Sequence, residues 1–156
     1  MSFFNALRIA GSALTAQRLR TDVIANNIAN MNTTRTAEGG PYRRQQLVFT
    51  PRQEQVPFRT ILLAQGVVNI PSPTGATMPP GQGVRVSRVG PDDRPARRAY
   101  EPDHPDADAE GFVSYPDIDP VTEMADMLSA TRAYEANVTA LNAAKAMASK
   151  ALEIGR

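Results

Sequence analysis

The chain of 156 residues contains no cysteine, and that absence removes disulfides, thiolate zinc sites and thiol nucleophiles without fixing a redox compartment. A net charge of +1, with charged residues at 21%, gives no polybasic footprint for nucleic acid or an anionic membrane surface. Long apolar runs are missing as well. Arg8, Arg18 and Arg20 interrupt any span of the length a membrane helix needs. The short stretch Ile9 to Ala16 resembles the core of a secretory signal. Only Arg8 is basic before it, however, and helical periodicity continues through the would-be cleavage point, so export without a cleaved signal peptide is expected. Proline is absent from both ends: all 13 prolines lie between Pro41 and Pro120, and only Gly11 and Gly155 of the 10 glycines fall outside Gly39 to Gly111. Proline removes a helix donor and clashes with the preceding turn, so the chain divides into a helical head, a helix-poor middle and a helical tail.

The head carries apolar and small residues at Phe3, Leu7, Ala10, Leu14, Gln17, Thr21, Ile24, Ile28 and Met31, at spacings of four and three. That is the seam of a coiled-coil-like helix, weakened at its centre by Gln17 and Thr21. The tail repeats the pattern at Met124, Met127, Thr131, Tyr134, Val138, Leu141, Lys145, Ala148 and Leu152. Pro120 fits the first turn of that helix, Glu123 and Asp126 lie near its positive end, and Gly155 fits its stop. The middle reads as short strands at Gln45 to Thr50, Gly83 to Val89, Arg97 to Tyr100 and Gly111 to Tyr115. Between the first two, residues 53–82 read as a Pro/Gly-rich loop or extra hairpin. The fold expected is α+β: an N-terminal assembly helix over 1–33, a β-rich middle over 34–119, and a C-terminal assembly helix over 120–156, the two helices packed as a coiled-coil-like pair.

Two features invite a chemical reading. Asp106, Asp108, Glu110, Gly111 and Asp117 approach the spacing of a calcium loop, but position five is Glu, position twelve is the shorter Asp, and Pro102, Pro105 and Pro116 disrupt the frame. A solvated acidic turn is expected there, with a calcium-dependent adhesion or regulatory module as the alternative. His104, the single histidine, has no nucleophile motif, phosphate loop or second metal-type ligand in the sequence to work with. No catalytic, cofactor or metal residues are assigned, and neither a nucleic acid nor a small-molecule substrate is expected.

The stretch DVIANNIANMN, Asp22 to Asn32, sets a puzzle. Asn26, Asn27 and Asn30 lie inside a helical pattern, where asparagine costs roughly 0.5 to 0.7 kcal/mol relative to alanine. Partners across a helix interface would offset that cost and fix register. The bland alternative is that all three face water. The seams are equally open: they suit either an internal helical hairpin or contacts with other copies of the molecule.

The stretch from Ala10 to Thr33, AGSALTAQRLRTDVIANNIANMNT, closely resembles the asparagine-rich motif shared by rod, hook and related axial proteins of the bacterial flagellum. Gly39 to Phe49, Tyr100 to Met124 and Ser129 to Gly155, together with the long link from Thr33 to Tyr42, are similar to the proximal-rod branch of that family. The resemblance implies a structural role without catalysis. Subunits would be exported unfolded by the flagellar type III apparatus and would stack in the periplasm-spanning rod of the basal body, which transmits torque for motility. The partners implied are other copies of the chain, other rod proteins and the basal-body base, and the rod-assembly and export machinery. No cofactor is implied. The residues expected at the assembly interface are Leu7, Leu14, Ile24, Asn26, Asn27, Ile28, Asn30, Met127, Tyr134, Val138, Leu141 and Leu152.

Overall fold

A computed structural model describes residues 3–52 and 81–154. The long helix α1 spans Phe3–Ala29 and the longer α2 spans Pro120–Ile154. Four strands lie between them: β1 Gln45–Pro51, β2 Val84–Pro91, β3 Arg97–Tyr100 and β4 Phe112–Tyr115. The expected α+β class, with terminal helices packed together and a small antiparallel middle, is what the chain adopts. Most of the expected loop at 53–82 falls outside the described residues.

The strands form two separate antiparallel ribbons, β1 with β2 and β3 with β4. In the first, Gln45 pairs with Pro91 and Pro51 with Val84, and a register shift between Val48 and Phe49 leaves Ser87 as an extra residue on β2. Such a bulge strengthens twist and lets one face of a ribbon follow a helix. β2 starts one residue later than its apolar pattern predicts because Gly83 sits at φ +106°, outside the strand region. A Cβ there would collide with the Ser12 hydroxyl, so glycine is what permits the ribbon to meet α1 at this point. Ser12 completes the joint by donating to the Ile9 carbonyl at 2.7 Å and accepting from the Val84 N–H at 3.1 Å. β4 likewise begins after Gly111, whose φ is +80°.

α1 stops at Ala29, two residues short of the expected Met31. Asn30 N–H bonds to both the Asn26 and Asn27 carbonyls, and Met31 N–H reaches back three residues to Ile28, so the last turn tightens and unwinds. α2 starts as expected at Pro120. Asp119 is the cap, its carboxylate accepting from the Val121 and Thr122 N–H groups at 3.2 Å each and from the Thr122 hydroxyl.

The helices run antiparallel: Arg20 reaches Asp126 and Asn27 reaches Glu123. α1 lies against α2, β1 and β2, whereas α2 packs on α1 alone among these elements. The difference explains both buried faces. On α1, Ala10, Ser12, Ala16, Val23, Ile24 and Asn27 are buried, a set wider than one stripe because the helix is covered on two sides. On α2 the buried residues are Glu123, Ala130 and Ala144, flanked by half-buried Met127, Asn137, Leu141 and Ala148. The expected seam is therefore half right. The row through Met127, Leu141 and Ala148 faces inward, but its companion row is Glu123, Ala130, Asn137 and Ala144, one residue before Met124, Thr131, Val138 and Lys145. Alanine lets the backbones approach closely, and that closeness displaces the larger side chains to the flank.

Candidate functional site

Where α1 ends and α2 begins, three distant stretches of sequence meet around one carboxylate. The Asp119 cap and Pro120 fix the start of α2, and the first turn then directs Glu123 at α1. Glu123 is 1% exposed. It accepts from Arg44 Nε at 2.6 Å on one oxygen and from Asn27 Nδ2 at 3.3 Å on the other. Arg44 also pairs with Asp92 at 3.5 Å, Asp92 with Arg94 at 2.8 Å, and Arg94 with Asp117 at 3.2 Å. Charges of opposite sign thus alternate from the helix junction out to the surface. The hydrogen bond from Arg94 holds the Asp92 carboxyl below the usual carboxylate range. Burial pushes the Tyr42 hydroxyl above its ordinary value, and the negative Glu123 nearby adds to that.

Asn27, also 1% exposed, answers the asparagine puzzle for one of the three residues. Its Nδ2 donates to the Gln45 carbonyl at 3.0 Å as well as to Glu123. Its Oδ1 accepts from the Gln45 N–H at 2.9 Å and from the Tyr42 hydroxyl at 3.0 Å. The amide pairs with the backbone of Gln45 as a neighbouring strand would, and all of its hydrogen-bonding capacity is used inside the chain. The partners sought across an interface are here intramolecular. Asn30 serves a second purpose, donating to the Asn26 carbonyl and side-chain oxygen at 2.9 Å each while accepting from Thr33 at 3.2 Å, which closes the end of α1. Asn26 remains on the exposed surface.

Sequence reasoning missed Glu123, Arg44 and Tyr42 as members of this cluster. Glu123 reads in the sequence as a favourable charge at a helix N-terminus, and nothing local distinguishes it from a solvated one. The usable signal was the coincidence of a mid-helix asparagine with a first-turn carboxylate in an antiparallel partner.

The expected interface residues do not converge on one spot. Ile24 is buried, Leu7, Leu14, Ile28, Met127, Val138 and Leu141 are half-buried along the helix pair, and Tyr134 and Leu152 are exposed. Apart from Tyr134 at mid-helix, the exposed large apolar residues of α2 lie towards its two ends. Val121, Met124 and Leu128 lie at the start and Met147 and Leu152 near the finish, with Met124 at 59%, Met147 at 67% and Leu152 at 77% exposure. Helix lengths account for the second group. The 27 residues of α1 and 35 of α2 give about 40 and 52 Å at 1.5 Å per residue. Measured from the contacts at Asn27 and Arg20, Phe3 comes level with roughly residues 143 to 147 of α2. The remainder of α2 projects past its partner, and its apolar side chains have nothing within the described chain to cover them.

The carboxylates of the acidic loop between β3 and β4 are held by hydroxyl, backbone and arginine partners, with Asp108 and Glu110 sharing Arg98. Asp108 accepts from the Glu110 and Phe112 N–H groups at 3.0 and 2.8 Å and from Arg98 at 2.6 Å. Asp106 accepts from the Thr34 hydroxyl at 2.7 Å, and Asp117 belongs to the Arg94 pair. Among the described residues no three metal-type side chains converge, and the calcium reading gains no support. His104 accepts from the Asp106 N–H at 3.0 Å, a turn contact. No described helix is long and apolar enough to cross a membrane.

Two family descriptions match the ends of the chain: "Flagella basal body rod protein" over residues 7–35 and "Flagellar basal body rod FlgEFG protein C-terminal" over residues 109–154. Over the full length, the chain is 46% identical to the flagellar basal-body rod protein FlgC of Bacillus subtilis strain 168, covering 100% of both chains. It is 44% identical to FlgC of Borreliella burgdorferi, over 99% of this chain and 98% of the relative, and 40% identical to FlgC of Escherichia coli O6:H1 over 100% of both.

Proposed function

The chain belongs to the FlgC family of flagellar basal-body rod proteins, and on that premise we propose that it is a structural subunit of the proximal rod, polymerising through its terminal helices. In this reading it is exported unfolded without a cleaved signal, folds where the rod crosses the periplasm, and meets other copies of itself, other rod proteins and the base of the basal body. Torque passes through the packed helices. The twelve residues expected at the interface divide by exposure. Ile24 and Asn27 hold the subunit together, while Asn26, Tyr134 and Leu152 face outward and are free to meet neighbours.

The observation that carries the reading is the pair of apolar ends on α2. Large apolar side chains clustered in water mark interaction surfaces, and here they lie at opposite ends of one long helix. Surfaces so arranged are unlike one another and suit the heterologous contacts from which filaments grow. Half-buried Leu141 is a poor probe of assembly, because a charge there also disturbs the packing on α1. Met124→Lys combined with Leu152→Lys is the cleaner test. The purified variant should keep its helical circular dichroism and fail to restore swimming to a strain lacking the gene. Normal swimming would refute the assignment of α2 as the assembly surface.

A further inference from the structure

The most deeply buried apolar positions of α1 and α2 are mostly alanine, with half-buried Leu7, Leu14, Met127 and Leu141 beside them. Ala10 and Ala16 on one side and Ala130 and Ala144 on the other are the buried alanines, with Val23 and Ile24 adding bulk at one end of α1. Buried alanines give shallow knobs and shallow holes, so they specify the axial offset of the two helices only weakly. Among the described residues no other element packs on α2 to hold its position. Something else must choose the axial offset.

We propose that Asn27, Arg44 and Glu123 form a register lock, a polar cluster retained for the alignment of the two helices and not for stability. Three observations support it. Glu123 and Asn27 are each 1% exposed, and their bond crosses directly from helix to helix at 3.3 Å. The second interhelical bond, Arg20 to Asp126 at 2.9 Å, lies at the same end. Arg44 belongs to neither helix, and Gln45, the first residue of β1, exchanges two backbone bonds with Asn27. The cluster therefore aligns α1, α2 and the β1–β2 ribbon at once. A one-turn slip moves Glu123 about 5.4 Å along the axis, away from both its partners while it stays buried. An unpaired buried charge is strongly unfavourable, so the polar cluster excludes registers that the buried alanines disfavour only weakly. Removing all three polar groups together removes that penalty and the choice with it. This inference concerns the single subunit and is independent of whether the chain assembles through α2.

The absence of native cysteine allows a direct test in the full chain. Nitroxide labels on Asp22→Cys and Ser129→Cys, both exposed positions on the two helices, report the offset by pulsed electron resonance. With the cluster intact the distance distribution should be single and narrow. In the variant Asn27→Leu, Arg44→Met, Glu123→Met, helical circular dichroism and the urea midpoint should be retained while the distribution broadens or splits. The exchanged pair Arg44→Glu with Glu123→Arg should return a narrower distribution than either single change. A single unchanged distribution in the folded triple variant would overturn the proposal. Loss of the folded state in that variant would overturn it too, because the cluster would then be a source of stability and not of register.

Discussion

The two ends of the helix pair are built on opposite principles. Where α1 finishes and α2 starts, a capped first turn, a saturated asparagine, a buried carboxylate and its arginine, and a β-ribbon all meet. At the other end, α1 begins near Phe3 and α2 continues past it, with small side chains between the helices and Met147 and Leu152 facing water. The first end has directional bonds from three segments. Directional bonds specify one geometry, whereas alanine contacts tolerate many, so the two ends differ in how firmly they define the shape of the subunit. Local opening should follow the same gradient, since fewer buried contacts mean a lower cost of local unfolding.

The largest stability effect is expected from breaking the defined end one-sidedly. Glu123→Ala leaves Arg44 and Asn27 without their shared acceptor in a nearly dry site, and should cost about 3 kcal/mol in urea unfolding. A cost near zero would erase the contrast between the ends. Gly83→Ala attacks a different joint, where the ribbon meets α1 at Ser12, nearer the start of that helix. It places a Cβ against Ser12 at a φ of +106°, and about 2 kcal/mol should be lost. Reducing the facing side chain with Ser12→Gly should recover part of the steric component while the strain at positive φ remains.

A smaller effect, and one that depends on pH, is expected at the cap. Hydrogen bonds from Thr122, first its hydroxyl, and from the Val121 N–H hold the Asp119 carboxyl below its ordinary value in the folded chain. The folded state thus favours the ionised form, and the contribution is complete above the unfolded carboxylate range and fades as pH falls through the lowered folded value. Asp119→Ala should melt below wild type at neutral pH and converge with it in acid. A gap that persists or widens in acid would mean that the cap acts by something other than its charge. The smallest effect belongs to the overhanging end, where Met147→Ser should change stability by no more than about 0.5 kcal/mol because Met147 is 67% exposed among the described residues. A larger loss would show that the two ends are more alike than their contacts suggest.

Much of this architecture was legible without coordinates. The exclusion of proline from both ends identified the helices, Pro120 fixed the start of α2, and the run from Arg97 to Tyr100 was assigned as the strand it is. These features are local, and local sterics decide them. The inner face of α2 was read one residue off along one of its two rows. Periodicity ranks residues by apolarity, so Met124 outranks Ala130 as a core residue, but close packing of two helices selects the smaller side chain.

The polar junction belongs to a different category. Asn27, Arg44 and Glu123 are individually unremarkable in sequence, an asparagine in a motif, one of two adjacent arginines, and an acid in a first turn. The sequence by itself determined where helices and strands form, because dihedral restrictions and hydrophobic spacing act over a few residues. Tertiary structure alone decided that these three side chains share one buried site. Burial removes the water that would otherwise satisfy them, and only then does each require the other two.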